Sequence, residues 1–246
     1  MCFTSLFFYK IITFNLLTTW FVFDKVNIDL MVYICLKEDI MKQKEKNKIS
    51  RDKILNAAII EFGTKDYGNA SLNNICNDNN ISKGLIYHYY KNKDDLFLSC
   101  VKHCFDQFVD YIQSEKFDEN DFENIIQKHL DLRYRFFKEN IYLRHIFFNA
   151  VLQAPMHLKQ QIKDIRKNFD NVNISNYRFA LSKMTLREGI TEEEAIEYFW
   201  IFQEMFNGYF ESKTYENCEF NGLIKEHEIK LEKILNIMLY GIVKED

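Results

Sequence analysis

The stretch SKGLIYHYYKNK, residues 82–93, decides the fold and raises the question of function. Seven of its twelve side chains are aromatic or basic, so it is too polar for a core and too aromatic for an ordinary solvated helix face. Ser82 can cap a short helix that reaches Tyr90. Helical spacing puts Ile81, Ile86 and Tyr90 on the inner side and residues 83–85, 87 and 88 on an exposed arc. An exposed aromatic cluster beside positive charge indicates a contact site.

The residues before this stretch predict two more helices. Ser50 can cap a helix to about Lys65, with an apolar face that includes Ile54, Leu55, Ala58, Ile59 and Phe62. Asp66 stands where the chain must turn, and Asp tolerates a left-handed backbone. Ser71 starts the next helix, with Asn74 in a loose capping box and Asn80 suited to positive φ. Helix, tight turn and helix within about twenty residues predict a helix-turn-helix, whose second helix enters the DNA major groove.

Residues 51–97 resemble the DNA-binding domain of the TetR family of transcriptional regulators. The resemblance rests on ILNAAIIEF, DY, SLNNIC and ISKGLIYHYYKNKDDLF. The chain departs from the family pattern at Asp66, at Cys76, at Asn79–Asn80 and at Leu85, which replaces a common Thr and leaves the operator sequence open. The resemblance implies a double-stranded DNA operator, a helical ligand-binding domain with an unknown small-molecule effector, and a homodimer formed through the last two helices.

The predicted DNA contacts lie on and around the second helix of this motif. Lys83, Tyr87 and Lys93 suit phosphate oxygens, whereas Leu85 and His88 are placed toward base edges. Gly84 lets the backbone come close to the DNA. The complete predicted set is Ser71, Ser82, Lys83, Gly84, Leu85, Tyr87, His88 and Lys93.

Composition and charge support this reading. The 246 residues are 47% hydrophobic and contain only 7 Gly and 1 Pro, which favours an all-α protein with a real core. Residues 41–96 hold 10 Lys or Arg against 7 Asp or Glu, whereas residues 97–246 hold 19 against 25. A basic N-terminal part on an acidic body indicates one surface made for a polyanion.

Further helices are predicted near 92–112, 120–137, 140–152, 156–170, 174–187, 192–213 and 222–242, and Thr191 with Glu194 forms a capping box after Gly189. Aromatic stripes on these helices favour core over ligand pocket, and both readings stay open. The candidate ligand residues are Phe105, Phe108, Tyr134, Phe137, Phe148, Tyr177 and Phe202. The candidate dimer residues are Phe206, Tyr209, Leu231, Leu235 and Met238, which ordinary core stripes would equally explain.

We therefore expect an N-terminal three-helix helix-turn-helix domain over 41–96 and a helical effector-binding and dimerisation domain over 97–246. Residues 1–40 are hydrophobic and unlike the rest, which favours Met41 as the true start; a membrane-associated segment is the alternative. The six cysteines show no disulfide framework. Cys100, His103 and Cys104 have a spacing that metals use, but a complete site needs more ligands, so we expect reduced thiols in a cytoplasmic protein.

Two functions from different classes compete. The first is a DNA-binding regulator, a repressor released from a palindromic operator by a small apolar or aromatic ligand. The alternative is an interaction module with reduced DNA binding that recruits another protein. An enzyme is a distant third, because the sequence has no glycine-rich phosphate loop and no nucleophile elbow. No cofactor and no metal is predicted.

Overall fold

The computed structural model describes residues 36–37, 40–115, 125–216 and 219–242. The chain divides into two compact units, residues 1–53 and 54–246. In the first unit residues 40–53 are helical, and most of the hydrophobic extension predicted over 1–40 lies outside the described residues. None of the helices in the described ranges is both long enough and apolar enough to cross a membrane.

The second unit begins with a three-helix head, and the predicted all-α fold is confirmed. Residues 54–64 form α1, Leu72–Asp78 form α2 and Lys83–Tyr89 form α3. The cap predicted at Ser50 is wrong, because residues 40–49 before it are already helical. The caps predicted at Ser71 and Ser82 are present: their side-chain oxygens accept hydrogen bonds from the amides of Asn73 and Leu85. These bonds satisfy amide groups that a helix leaves unpaired in its first turn. Local hydrogen bonding therefore sets where α2 and α3 begin.

Turn chemistry places α3 against α2. Asn80 has the expected positive φ, +51°, between the two helices. Asp66 does not adopt the left-handed conformation that the sequence allows for it. Among the described residues, Asn80 is the only non-glycine residue with a positive φ. Asp66 instead accepts hydrogen bonds from the amide and side chain of Asn69, which close the loop after α1. A carboxylate that binds its own loop makes the strained backbone unnecessary.

A helical body follows the head. Its elements are α4 (Lys93–Ser114), α5 (Ile125–Glu139), α6 (Ile141–Leu152), a 3-10 turn (Met156–Leu158), α7 (Lys159–Leu181), α8 (Glu192–Lys213) and α9 (Phe220–Ile242). Asn92 caps α4, and Thr191 forms the predicted capping box with Glu194. The break predicted between 170 and 174 is wrong: α7 is one helix, since no glycine or proline interrupts residues 159–181.

Head and body share one hydrophobic core. Ile75 and Ile86 of the head belong to the same buried cluster as Phe105 and Phe148 of the body. Helix α4 passes through both parts, because it buries Phe97 near its start and Phe105 farther along. Aromatic rings from α4, α5, α6 and α7 pack together at its centre: Phe105, Phe108, Phe136, Phe137, Phe147, Phe148 and Phe169.

The cysteines near the start of α4 are structural. Cys100 and Cys104 are fully buried, and the thiol of Cys104 donates a hydrogen bond to the carbonyl oxygen of Leu143 at 3.2 Å. Burial raises the pKa of both thiols far above the ordinary value, so they stay protonated. The described residues contain no group of three metal-ligating side chains around them.

Gly63 fixes the position of the head on the body. A Cβ atom at this position would lie 2.5 Å from Cβ, 2.7 Å from Cα and 2.9 Å from the carbonyl oxygen of Tyr142 on α6. These are backbone or near-backbone atoms, so no side-chain rotation relieves the clash. Helix α1 can therefore lie at this distance from α6 only with glycine at the contact.

We expect Gly63→Ala to lower the free energy of unfolding by about 1–3 kcal/mol, the usual cost of overpacking. Gly222→Ala is the matched control, because its added Cβ would meet only the Glu219 carboxylate at an ordinary 3.6 Å. Urea unfolding of both variants measures the difference. A Gly63→Ala protein as stable as the control would show that α1 and α6 are not in close contact in solution.

Candidate nucleic-acid interface and ligand cavity

Helix α3 presents a polar and aromatic outer face. Lys83, Gly84, Tyr87 and His88 are all exposed, as predicted, and Tyr87 is 50% exposed. A Cβ added at Gly84 would meet no heavy atom of the described residues within 4 Å, so they leave this part of α3 open for close approach by a partner. The exposed face therefore offers a cation, a phenol and an imidazole beside bare backbone.

Leu85 departs from the predicted exposed arc. The structure shows it half-buried and packed against the core. The next residue of α3, Ile86, is 1% exposed, so Leu85 lies beside the buried side of the helix. Leu85 thus supports the position of α3, and the outer face is made by Lys83, Tyr87 and His88.

Lys93 starts α4 beside this face but folds back onto the head. Its Nζ lies 4.4 Å from the centre of the Tyr67 ring and donates to the carbonyl oxygen of Gly68 at 3.5 Å. Burial lowers the pKa of Lys93, although the charges of Asp66, Asp94 and Glu61 oppose the shift. For Lys93 to make the predicted phosphate contact, its ammonium group must move away from Tyr67, or the phosphate must reach the ammonium group where it now lies.

The carboxylate of Glu61 ties α1 to the start of α2. Glu61 is 7% exposed and accepts hydrogen bonds from Ser71 N at 2.8 Å, Asn74 Nδ2 at 3.0 Å and Lys65 Nζ at 2.9 Å. Asn74 therefore binds Glu61 rather than completing the capping box predicted for α2. Burial opposes ionisation, but these three donors outweigh it and hold the pKa of Glu61 below its usual value.

The body contains a cavity of about 110 Å³, here called the body cavity. It is bounded by α4, α5, α7, α8 and α9, and its walls include Phe108, Tyr177 and Leu235. Of the predicted ligand residues, Phe108 and Tyr177 line it. Its volume approaches that of cavities known to hold a benzene ring.

The other predicted ligand residues lie elsewhere. Tyr134 is 63% exposed and, with Phe137, borders a wider groove of about 580 Å³ between α5, α6 and α9. Phe105 and Phe148 are packed inside the ring cluster of the core, so they are structural. Phe202 is half-buried against the core and contacts the Phe206 ring at 5.7 Å.

Helix α8 carries an exposed apolar stripe. Tyr198, Ile201, Met205 and Tyr209 are 47–69% exposed and lie on one side of the helix. Of the predicted dimer residues, Tyr209 belongs to this exposed stripe. Phe206 does not, because it is 6% exposed and packs on the Phe210 and His227 rings inside the protein. Leu231, Leu235 and Met238 of α9 are half-buried against their own core clusters.

Comparisons with known proteins agree with this geometry. Residues 54–100 match the family model described as bacterial regulatory proteins, tetR family. Residues 54–100 therefore carry the domain that this tetR family model describes. The match begins in α1 and ends in α4, so it covers the head and the helix that joins it to the body.

Three relatives show how far the TetR similarity extends. The biofilm operon icaADBC HTH-type negative transcriptional regulator IcaR of Staphylococcus epidermidis is 27% identical over 113 residues, 46% of this chain but only 59% of that protein. The fatty acid metabolism regulator protein of Bacillus subtilis is 23% identical over 61% of this chain and 76% of its own length. The structure of the fatty acid degradation regulator FadR from Bacillus halodurans has a TM-score of 0.51 at 19% identity, covering 72% of this chain and 95% of that one, and therefore shares the fold.

Three features of this structure were not predicted from the sequence: the close contact of Gly63, the hydrogen bonds of Glu61 and the outward position of Met205. Gly63 could be any helical glycine, because Tyr142 is distant in sequence. The spacing of Tyr198, Ile201, Met205 and Tyr209 is visible in the sequence, but α8 is apolar on several sides, so spacing alone does not choose the outer one.

We expect Glu61→Gln to lower the free energy of unfolding at pH 7 by about 1–3 kcal/mol, because a neutral amide loses the charge-assisted bonds. The folded pKa of Glu61 is depressed, so its contribution is complete above the ordinary value of 4.5 and disappears as the pH falls through the lower folded value. Urea unfolding of the wild type, Glu61→Gln and the exposed-site control Glu188→Gln checks this. A Glu61→Gln deficit that stays constant as the pH falls through this range would contradict the tie.

Proposed function

We propose that this chain is a dimeric transcriptional repressor that binds operator DNA through α3 and is released by a small apolar or aromatic molecule bound in its body. The observation that carries the proposal is the exposed face of Lys83, Gly84, Tyr87 and His88 on the second helix of a TetR-family head. Phosphate oxygens accept hydrogen bonds from ammonium and phenol groups, which position a protein on the duplex. Because its target is the chromosome, we place its action in the cytoplasm.

Repression rather than activation is supported by one relative. The IcaR protein of Staphylococcus epidermidis is a negative transcriptional regulator by name, and its 27% identity covers 46% of this chain. The fatty acid regulator of Bacillus subtilis is a second relative whose name describes control of metabolism. Both are consistent with a regulator whose body responds to a metabolite.

Helix α4 supplies a physical route from ligand to DNA. Its first residue, Lys93, lies against Tyr67 of the head, and Phe108 of the same helix lines the body cavity. At about 1.5 Å per residue, roughly 22 Å of helix joins the two. A ligand that shifts α4 would also shift the head, because Leu96 and Phe97 are buried in the common core. The ligand then favours an arrangement in which α3 no longer fits the groove.

The DNA-binding step can be tested at Gly84. Alanine there meets nothing in the free protein and has the higher helix propensity, so we expect a folded and equally stable variant. In the complex the added methyl group would stand between α3 and the DNA. We expect Gly84→Ala to weaken binding in a gel shift to the DNA upstream of its own gene by roughly tenfold, about 1.4 kcal/mol.

Gly222→Ala, in a helix of the body, is the control for that experiment and should bind as the wild type does. Unchanged DNA affinity of Gly84→Ala would show that α3 does not approach DNA by this face.

The dimer is proposed to form through the exposed stripe of α8. An exposed apolar row of this kind marks an interaction surface, and a second copy of the same helix matches it by two-fold symmetry. We expect Met205→Glu to convert the dimer to a folded monomer in analytical ultracentrifugation. The monomer should stay folded because Met205 is 69% exposed and is not part of the hydrophobic core. Met156→Glu, at 78% exposure outside the stripe, should stay dimeric. If Met205→Glu is still a dimer, the interface lies elsewhere.

A further inference from the structure

The body cavity combines apolar walls with hydrogen-bonding groups that the described residues do not satisfy. Phe108, Phe169, Phe199, Leu231 and Leu235 supply apolar surface. Such walls give a ligand most of its binding free energy through removal of apolar area from water. Polar groups among them determine which ligand fits.

Two donors on α7 have no partner among the described residues. The hydroxyl of Tyr177 and the side-chain Nδ2 of Asn176 are both buried and make no hydrogen bond to any described residue, and both residues line the body cavity. Tyr177 is only 5% exposed, and its ring is stacked on Phe199 with centroids 4.4 Å apart. Stacking holds the ring in place, so the hydroxyl cannot turn out to water. Unpaired buried donors of this kind are costly and call for an explanation.

The charged group in the wall is already neutralised. Arg133 Nε lies 3.1 and 3.0 Å from the two Glu228 carboxylate oxygens, and Nη2 donates to one of them at 3.0 Å. Burial opposes ionisation of Glu228, but the charge of Arg133 and hydrogen bonds from His227 and Arg133 outweigh it and lower the pKa to about 2. The ion pair is therefore intact at neutral pH, and the charge of Arg133 is already balanced by Glu228 rather than by a ligand.

The remaining basic group in the wall is uncharged. Burial lowers the pKa of His129 to about 4, so its imidazole is neutral near pH 7. A carboxylate in the cavity would lose its hydration without gaining an unpaired cation, which is strongly unfavourable. The donors left for a ligand are neutral ones.

We propose that the body cavity binds a neutral, mainly apolar molecule with one benzene-sized ring, whose single hydrogen-bond acceptor is held by Tyr177 and Asn176 and whose remaining atoms extend through the open side of the cavity. A ketone, ester or amide carbonyl oxygen fits this description. This inference names the chemical class of the effector and so rests on the proposed function. It separates that class from carboxylic acids, which carry charge at neutral pH, and from pure hydrocarbons, which leave both donors unpaired.

The test compares three probes of nearly the same shape: acetophenone, benzoate and cumene. Each is titrated into the purified full chain without DNA, and binding is followed by the methyl resonances of Leu231 and Leu235 in carbon-detected NMR spectra. We expect acetophenone to bind about fivefold more tightly than cumene, the equivalent of one net hydrogen bond. Benzoate should bind more weakly than either.

Variants assign the preference to the two donors. Tyr177→Phe should reduce the advantage of acetophenone over cumene and leave cumene binding unchanged. Asn176→Ala should reduce the same advantage, and it serves alone if Tyr177→Phe does not fold. Tyr134→Phe, which removes an exposed hydroxyl in the separate groove, is the matched control and should change nothing.

The inference is overturned if benzoate binds most tightly, if cumene equals acetophenone, or if no probe perturbs Leu231 and Leu235. The last two results would mean that trapped water satisfies Tyr177 and Asn176. Because these titrations contain no DNA, a chain that fails to bind an operator can still pass them. A chain that binds its operator but prefers benzoate would contradict this inference and leave the proposed repressor intact.

Discussion

The close contact between Gly63 and Tyr142 is the constraint on which the arrangement of head and body depends. A Cβ atom at residue 63 would come within 2.5 Å of Tyr142, so α1 and α6 lie closer together than any side chain at residue 63 would permit. The core then continues from Ile75 and Ile86 of the head to Phe148 of the body without a boundary. A head held this way cannot turn freely on a linker, so a rearrangement of the body reaches α3 through packed side chains.

The Glu61 carboxylate completes this arrangement inside the head. It binds the amide of Ser71 and the side chain of Asn74, so α2 starts at a fixed place relative to α1. Helix α3 is in turn seated by Ile86 and by the half-buried Leu85. The outer face of α3 is thus positioned by buried groups that are not part of it. In the proposed complex, the exposed residues of α3 select the DNA sequence, and the buried residues set the position of the helix.

Local chemistry made much of this structure predictable from sequence. The caps at Ser71, Ser82 and Asn92 and the turn at Asn80 involve partners within a few residues, so the sequence contains all the information they need. Features that depend on distant residues were not predictable. Leu85 is half-buried because the core lies beside it. Phe206 rather than Met205 is buried because that side of α8 packs against His227 of α9. The unpaired hydroxyl of Tyr177 becomes visible only when every possible partner is in place.

Capture of genomic DNA by the purified chain tests the central claim most directly. Fragments of the source genome are incubated with the protein at physiological salt, and the retained DNA is sequenced beside the input. The account predicts strong enrichment of one inverted repeat whose half-site centres are about 34–36 Å apart, as two copies of α3 related by two-fold symmetry require. Retained DNA with the same sequence composition as the input would contradict it, because non-specific attraction of the basic residues in 41–96 for phosphates would then explain all of the binding.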